Sequence, residues 1–301
     1  MCRSCSRKEA RAKALRDDHA YWKASGIYNW QQLIYFLGRT YGNIDFPQPN
    51  EPAAYDGLGI IAPDSKQFFK SVDTYAEHEA FDASKPVIAL FYLAYHSRVS
   101  TSGVVAELIS KIKPIANVLP IGFTSTMQVN VERLRKLLTH PGKTASLIIN
   151  CLGFRLGGGP RGHAAPQIVE LLEQLGAPIL HPFFLSRMEI DAWEKANRLS
   201  PSDFLVNVVL PELDGNIETY PIAALQHKGY DETYQIEIKD LELIEERADY
   251  LISRIKKWLV LQKKRTPQKE LLLSGTITSW RRWPIRRFVF RYFFVHIGFT
   301  N

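Results

Sequence analysis

Between Lys85 and Phe184 short apolar runs alternate with segments of helical composition, and no other feature narrows the possible folds as far. The runs are Val87–Tyr92, Val118–Phe123, Ser146–Leu152 and Pro178–Phe183. Between them lie Gly103–Ile112, stopped by Pro114, then Val129–Leu138 with apolar positions at helical spacing, then Ala165–Leu175. Strands that are apolar on both faces and separated by helices belong to a parallel sheet covered on both sides. Right-handed crossovers then bring the loops after Tyr92, Phe123 and Leu152 to one edge, where a ligand is expected. The expected fold is α/β, an open, mostly parallel Rossmann-like or flavodoxin-like sheet with additional helical segments.

The flanking sequence divides less sharply. Residues 1–84 are expected to form an N-terminal α/β region, with a helix over Trp30–Leu37, a connection over Gly42–Tyr55 and a strand at Leu58–Ile61. Residues 85–200 are the parallel domain. Residues 201–270 continue it, entered by a helix that Ser200 caps and Pro201 begins, and carrying a long helix over Leu241–Lys264. That helix has its acids early and Arg254, Lys256, Lys257, Lys263 and Lys264 late, as the helix dipole favours, and Pro267 stops it. The run Lys263–Arg265 is then a solvated helix end.

Residues 271–301 contain no acid, and Arg281, Arg282, Arg286, Arg287 and Arg291 stand there among Trp280, Trp283, Phe288, Phe290, Tyr292, Phe293 and Phe294. These five arginines supply +5 of the net charge of +7, so the other 270 residues carry only +2 and the high pI describes the tail. A basic aromatic end could grip nucleic acid or an anionic membrane, or be sequence never selected to fold in this context. The beginning of the chain reads as no secretory leader, and no run of about 20 apolar residues suggests a spanning helix, so a cytoplasmic location is expected. Cys2 and Cys5 form a CxxC pair, but Cys151 is the only other cysteine, too few for a four-thiolate zinc site.

Gly157, Gly158 and Gly159, followed by Arg161, Gly162 and His163, form a loop whose amides could surround an anion or act as a flap. No phosphate-loop Lys–Ser/Thr pair and no GxGxxG series accompanies it, so direct ATP binding is not expected. Among the dispersed histidines, none forms an HxxxH or HExxH pair. His96 follows the first clear strand beside Ser97, Arg98, Ser100, Thr101 and Ser102, where an imidazole could ligate or deprotonate and Arg98 could hold a carboxylate. The alternative is a polar loop whose hydroxyls cap the next helix. His181, at the end of a strand, fits either a rim position or a hydrogen-bonded core.

The run Asn207-Val-Val-Leu-Pro211-Glu212-Leu-Asp214-Gly215, preceded by Trp193-Glu194 and Leu199-Ser-Pro201-Ser-Asp203, resembles the family of large chelatase subunits that includes cobaltochelatase and magnesium chelatase. Lys85–Tyr92 with Ser97 and Gly103 resembles that family's strand and substrate-side loop, and the likeness covers roughly residues 25–270. The resemblance implies a subunit that binds a tetrapyrrole and receives cobalt or magnesium as the transferred ion. ATP is then used by partner AAA+ ATPase and adaptor subunits, which accounts for the missing nucleotide loop. Metal insertion needs loss of two pyrrole protons and delivery of a dehydrated cation. Catalytic roles are therefore expected of His96, Glu212 and Asp214, and substrate binding of Arg98, Ser102, Gly157, Gly158, Gly159 and His163. The alternative for Glu212 and Asp214 is an Asp–Gly turn with a solvated acid.

Full subunits of that family are several times longer, and the likeness ends near Glu270 where the composition changes. The expectation is an N-terminal portion, truncated or frameshifted near residue 270 and inactive alone. The alternatives are a non-catalytic tetrapyrrole-binding or assembly protein and a basic nucleic-acid-binding module, with no stable membrane or nucleic-acid partner favoured.

Overall fold

The structure is a computed structural model that describes residues 19–22, 26–52, 57–65, 67–94, 101–124, 126, 129–157, 164–196 and 198–264. His96, Arg98, Gly158, Gly159, His163 and the tail 271–301 lie outside the described residues. The chain divides after residue 56 into two units. In the first, helix α1 (Gly26–Thr40) is longer than the expected Trp30–Leu37 segment. Gln32 on this helix accepts the Asn50 amide at 2.9 Å, tying the following extended segment back to it.

The second unit is built on one eight-stranded sheet. In chain order its elements are β1 (Leu58–Ile61), β2 (Phe68–Phe69), α2 (Val72–His78), β3 (Val87–Leu93), α3 (Ser102–Ile112), β4 (Asn117–Phe123), α4 (Val131–Leu138), β5 (Ala145–Asn150) and α5 (Ala165–Leu175). These are followed by β6 (Ile179–Glu189), α6 (Ile190–Ala196), α7 (Pro201–Phe204), a π-helical turn (Leu205–Val209), α8 (Leu210–Glu212), β7 (Ile217–Asp231), β8 (Ile236–Leu243) and α9 (Glu245–Lys263). The spatial order is β2-β1-β4-β3-β5-β6-β7-β8. The central run from β4 to β7 is parallel, and antiparallel strands close both sides. Numbered from β3, the parallel strands lie in the order 2-1-3-4-5, the flavodoxin-like arrangement.

Alternation within β3 shows why the sheet needs two covers. Val87, Ala89 and Phe91 pack on one side with Tyr75, Leu134, Leu138, Ile168 and Leu172, residues of α2, α4 and α5. Ile88, Leu90 and Tyr92 pack on the other with Leu108 and Ile112 of α3 and Leu251 and Ile255 of α9. Side chains alternate faces along a strand, so a run apolar at every position has no solvent side.

Local sequence fixes the helix ends. Ser71 forms a reciprocal capping box with Thr74 at the start of α2, and the Asn130 side chain accepts the Arg133 amide at the start of α4. Gly176, at φ 62°, ends α5 in the left-handed conformation that glycine adopts at little cost. Ser200 caps α7 with Pro201 in its first turn, as the sequence suggests.

The region after residue 200 differs from expectation in one respect. The long helix starts at Glu245, and Leu241–Leu243 belong to β8, the second strand of a β7–β8 hairpin absent from the sequence reading. Leu241 and Leu243 are buried, an alternation that places them on the sheet rather than on a helix turn. Helix α9 is then pinned to β7, where Glu218 pairs with the Arg254 guanidinium and accepts the Trp258 indole N–H at 2.7 Å.

Candidate functional site

The connections leaving β3 and β5 diverge. Helix α3 after β3 covers one face and α5 after β5 covers the other, so the carboxyl ends of these neighbouring strands form the switch point at which open α/β sheets place a ligand crevice. The residues flanking the His96–Arg98 stretch lie at this edge, since Thr101 donates its hydroxyl to the Leu93 carbonyl at 2.7 Å. Ser102 is also there, but it is buried in the first turn of α3.

The described stretch that leaves β5 is held at nearly every step. The Cys151 amide reaches the Phe91 carbonyl at 2.9 Å, and the Leu152 amide reaches the Asn150 side chain at 3.1 Å. The Phe154 amide donates to the Val206 carbonyl at 3.1 Å, and the Gly157 amide donates to the Thr126 carbonyl at 3.0 Å. Arg155 Nε and the Leu156 amide each meet one oxygen of Asp214, at 2.5 and 2.8 Å. Within this stretch Phe154 has φ 102°, a conformation that favours glycine and persists in other residues only when neighbours enforce it.

Two glycines pack tightly in this arrangement, and at Gly157 the contact is with backbone. A Cβ on Gly153 would sit 2.7 Å from Asn207 Oδ1, and one on Gly157 would sit 2.9 Å from the Ala165 amide nitrogen, where φ is 77°. Gly157 thus lets the loop approach the start of α5. Gly157→Ala is expected to lower unfolding free energy by about 1–2 kcal/mol. In urea titration this should shift the midpoint without altering the slope.

Stagger in the sheet brings a distant segment to this edge. Strand β6 begins opposite Ile148 and β7 begins opposite Leu180, so the entry to β7 lies beside the carboxyl end of β5. Asn150 Nδ2 donates to Asn216 Oδ1 at 2.8 Å, and Asn216 Nδ2 donates to the Pro211 carbonyl at 2.8 Å. The His181 ring, fully buried, donates from Nδ1 to the Asn150 carbonyl at 2.7 Å. Burial lowers its pKa to about 4, against the opposing pull of the Asn150 and Asn207 carbonyls, so the ring is neutral at pH 7. The core alternative for His181 is the one observed. Asn207, also buried, lies in the π-helical turn, a local widening that recurs at functional sites.

The acids of the resembling run separate in character. Glu212 is exposed at the end of α8, and partial desolvation raises its carboxyl above the ordinary value. Asp214 is buried in a turn closed by Gly215 at φ 77°, so it is not the solvated acid of the turn alternative. Burial raises its pKa, while the Arg155 guanidinium and Leu156 amide draw it back. The Cys151 thiol is also buried and its pKa raised, so it is held protonated and unreactive. Among the described residues, no group of three or more His, Cys, Asp and Glu side chains is placed to hold a metal, and no helix is long and apolar enough to cross a membrane.

Asn150, Arg155 and Asn216 had no place in the sequence-based site. The signal for Asn150 is a lone amide closing an otherwise apolar strand; Arg155 and Asn216 carry no comparable local mark.

Comparison with known proteins identifies the same resemblance. The family model described as CobN/Magnesium Chelatase matches residues 19–274. A magnesium-chelatase subunit of Chlorobaculum parvum is 26% identical over 85% of this chain and 19% of its own length. Aerobic cobaltochelatase subunit CobN of Pseudomonas aeruginosa is 24% identical over 84% of this chain and 19% of its own. The solved catalytic subunit of cobaltochelatase from Mycobacterium tuberculosis superposes with a TM-score of 0.55 at 22% identity, covering 80% of this chain and 19% of that one. The chain spans about a fifth of the length of these relatives.

Proposed function

The chain belongs to the CobN/magnesium chelatase family, and from that membership we propose that it forms a tetrapyrrole-facing part of the large subunit of an ATP-dependent cobaltochelatase or magnesium chelatase. The transferred ion is cobalt or magnesium. ATP is hydrolysed by separate AAA+ ATPase subunits acting with an adaptor subunit, in the cytoplasm. The observation that carries this reading is the clamped loop Cys151–Gly157 at the point where the connections of β3 and β5 diverge. Open α/β sheets bind ligands at that point.

In the reaction, two pyrrole N–H protons leave the ring as the cation enters. Glu212 suits the receipt of a proton, because a carboxyl raised above its ordinary value holds that proton more tightly. His96 is proposed to carry a proton or touch the cation, and Arg98 and His163 to hold carboxylates on the macrocycle's rim. The glycines from Gly157 to Gly159 let the backbone approach the ring.

Absorbance titration of the purified chain with a porphyrin and, separately, a corrin tests the reading. A saturable shift of the visible bands is expected with at least one of them. Spectra that add as if ring and protein were in separate cuvettes, for both ligands, would remove the tetrapyrrole assignment.

A further inference from the structure

Asp214 is chemically unlike a proton acceptor for a substrate. Its side chain is 1% exposed, and its two oxygens are taken by Arg155 Nε at 2.5 Å and the Leu156 amide at 2.8 Å. Both partners belong to the strained stretch at the crevice, immediately after Phe154 at φ 102° and immediately before Gly157. The Val206 carbonyl holds Phe154 from the same side of the chain, eight residues before Asp214. A left-handed phenylalanine relaxes unless its surroundings are fixed, and these contacts fix its own amide and the two residues that follow it.

We infer that Asp214 is a positioning residue, a buried latch that holds Phe154–Gly157 in the one backbone path that presents this loop to a flat macrocycle at the crevice. The inference rests on the tetrapyrrole reading for the identity of the ligand and on the hydrogen bonds for the latch. Aspartate suits the task because it offers an acceptor to the guanidinium and another to the amide at once. Asparagine has one acceptor oxygen, so it must forfeit one of the two contacts.

The test compares the full chain with its Asp214→Asn variant by amide hydrogen exchange and porphyrin titration, both well below the melting temperature. Exchange at Leu156 and Gly157 should quicken by about tenfold or more while amides in β3 and β5 keep their rates. The half-saturating porphyrin concentration should rise by about tenfold, the equivalent of ~1.4 kcal/mol of lost binding free energy. Arg155→Gln, which leaves the Leu156 contact, should show the same pattern more weakly and stands in if Asp214→Asn does not fold. Unchanged exchange at Leu156 and Gly157 would overturn the latch, as would equal acceleration throughout the sheet, which marks a loss of global stability. Faster local exchange with unchanged porphyrin affinity would overturn the positioning role. If the unsubstituted chain binds a corrin and no porphyrin, the titration is made with the corrin; if it binds neither, the tetrapyrrole reading fails and the exchange pattern alone decides the latch.

Discussion

Replacing Asn150 with alanine is expected to cost about 3–4 kcal/mol. The side chain is buried, donating to Asn216 Oδ1 and accepting the Leu152 amide at 2.8 and 3.1 Å. Truncation leaves an amide N–H and a carbonyl oxygen buried without partners, at about 1–3 kcal/mol each, and opens a small void beside them. Asn150→Leu fills the void and leaves the same two groups orphaned, so it should be nearly as damaging. If Asn150→Leu unfolds at the same urea concentration as the unsubstituted protein, the polar network contributes packing and nothing more.

Acid should destabilise the fold through His181. Its pKa falls from an ordinary 6.5 to about 4 on folding, so the unfolded chain binds the proton more tightly than the folded one. The associated stability is complete above about pH 6.5 and is lost as the pH falls toward about 4, amounting to about 3 kcal/mol. His181→Gln cannot ionise and should remove this part of the pH dependence while lowering stability at pH 7 by disturbing the contact with Asn150. Parallel stability-against-pH curves for the two proteins between pH 4 and 7 would show that the ring ionises freely in the folded state.

The parallel core was legible because period and composition agreed. Val87–Tyr92 and Val118–Phe123 are apolar at consecutive positions, and only strands buried on both faces make use of that. The β7–β8 hairpin escaped because its outer half is exposed: Ile236 and Ile238 alternate with Glu237 and Lys239, and acids near Leu241 resemble a helix's first turn. Helix and strand patterns compete in such mixed segments, and pairing with β7 decided the outcome. The same competition hid the far end of β6, which runs on to Glu189 past the apolar Pro178–Phe183 segment.

At the site, the sequence placed the edge but not the contacts that shape it. The loops after Leu93 and Asn150 follow from topology alone. The pairing of Asn150 with Asn216 and of Arg155 with Asp214 joins positions 66 and 59 residues apart and depends on the stagger of β6 and β7, which no local pattern encodes. Asp214 illustrates the difference: as a residue in a dense motif it suggests chemistry, and in the fold both of its oxygens are occupied.

The most direct measurement is an amide-exchange footprint of the full chain with and without saturating porphyrin. A ligand at the divergence of β3 and β5 should slow exchange at Phe154, Leu156 and Gly157 and in the first turn of α3, leaving the opposite edge near Pro86 and Ala145 unchanged. Protection confined to that opposite edge, or no protection anywhere at saturation, would contradict a tetrapyrrole site at the carboxyl ends of these strands.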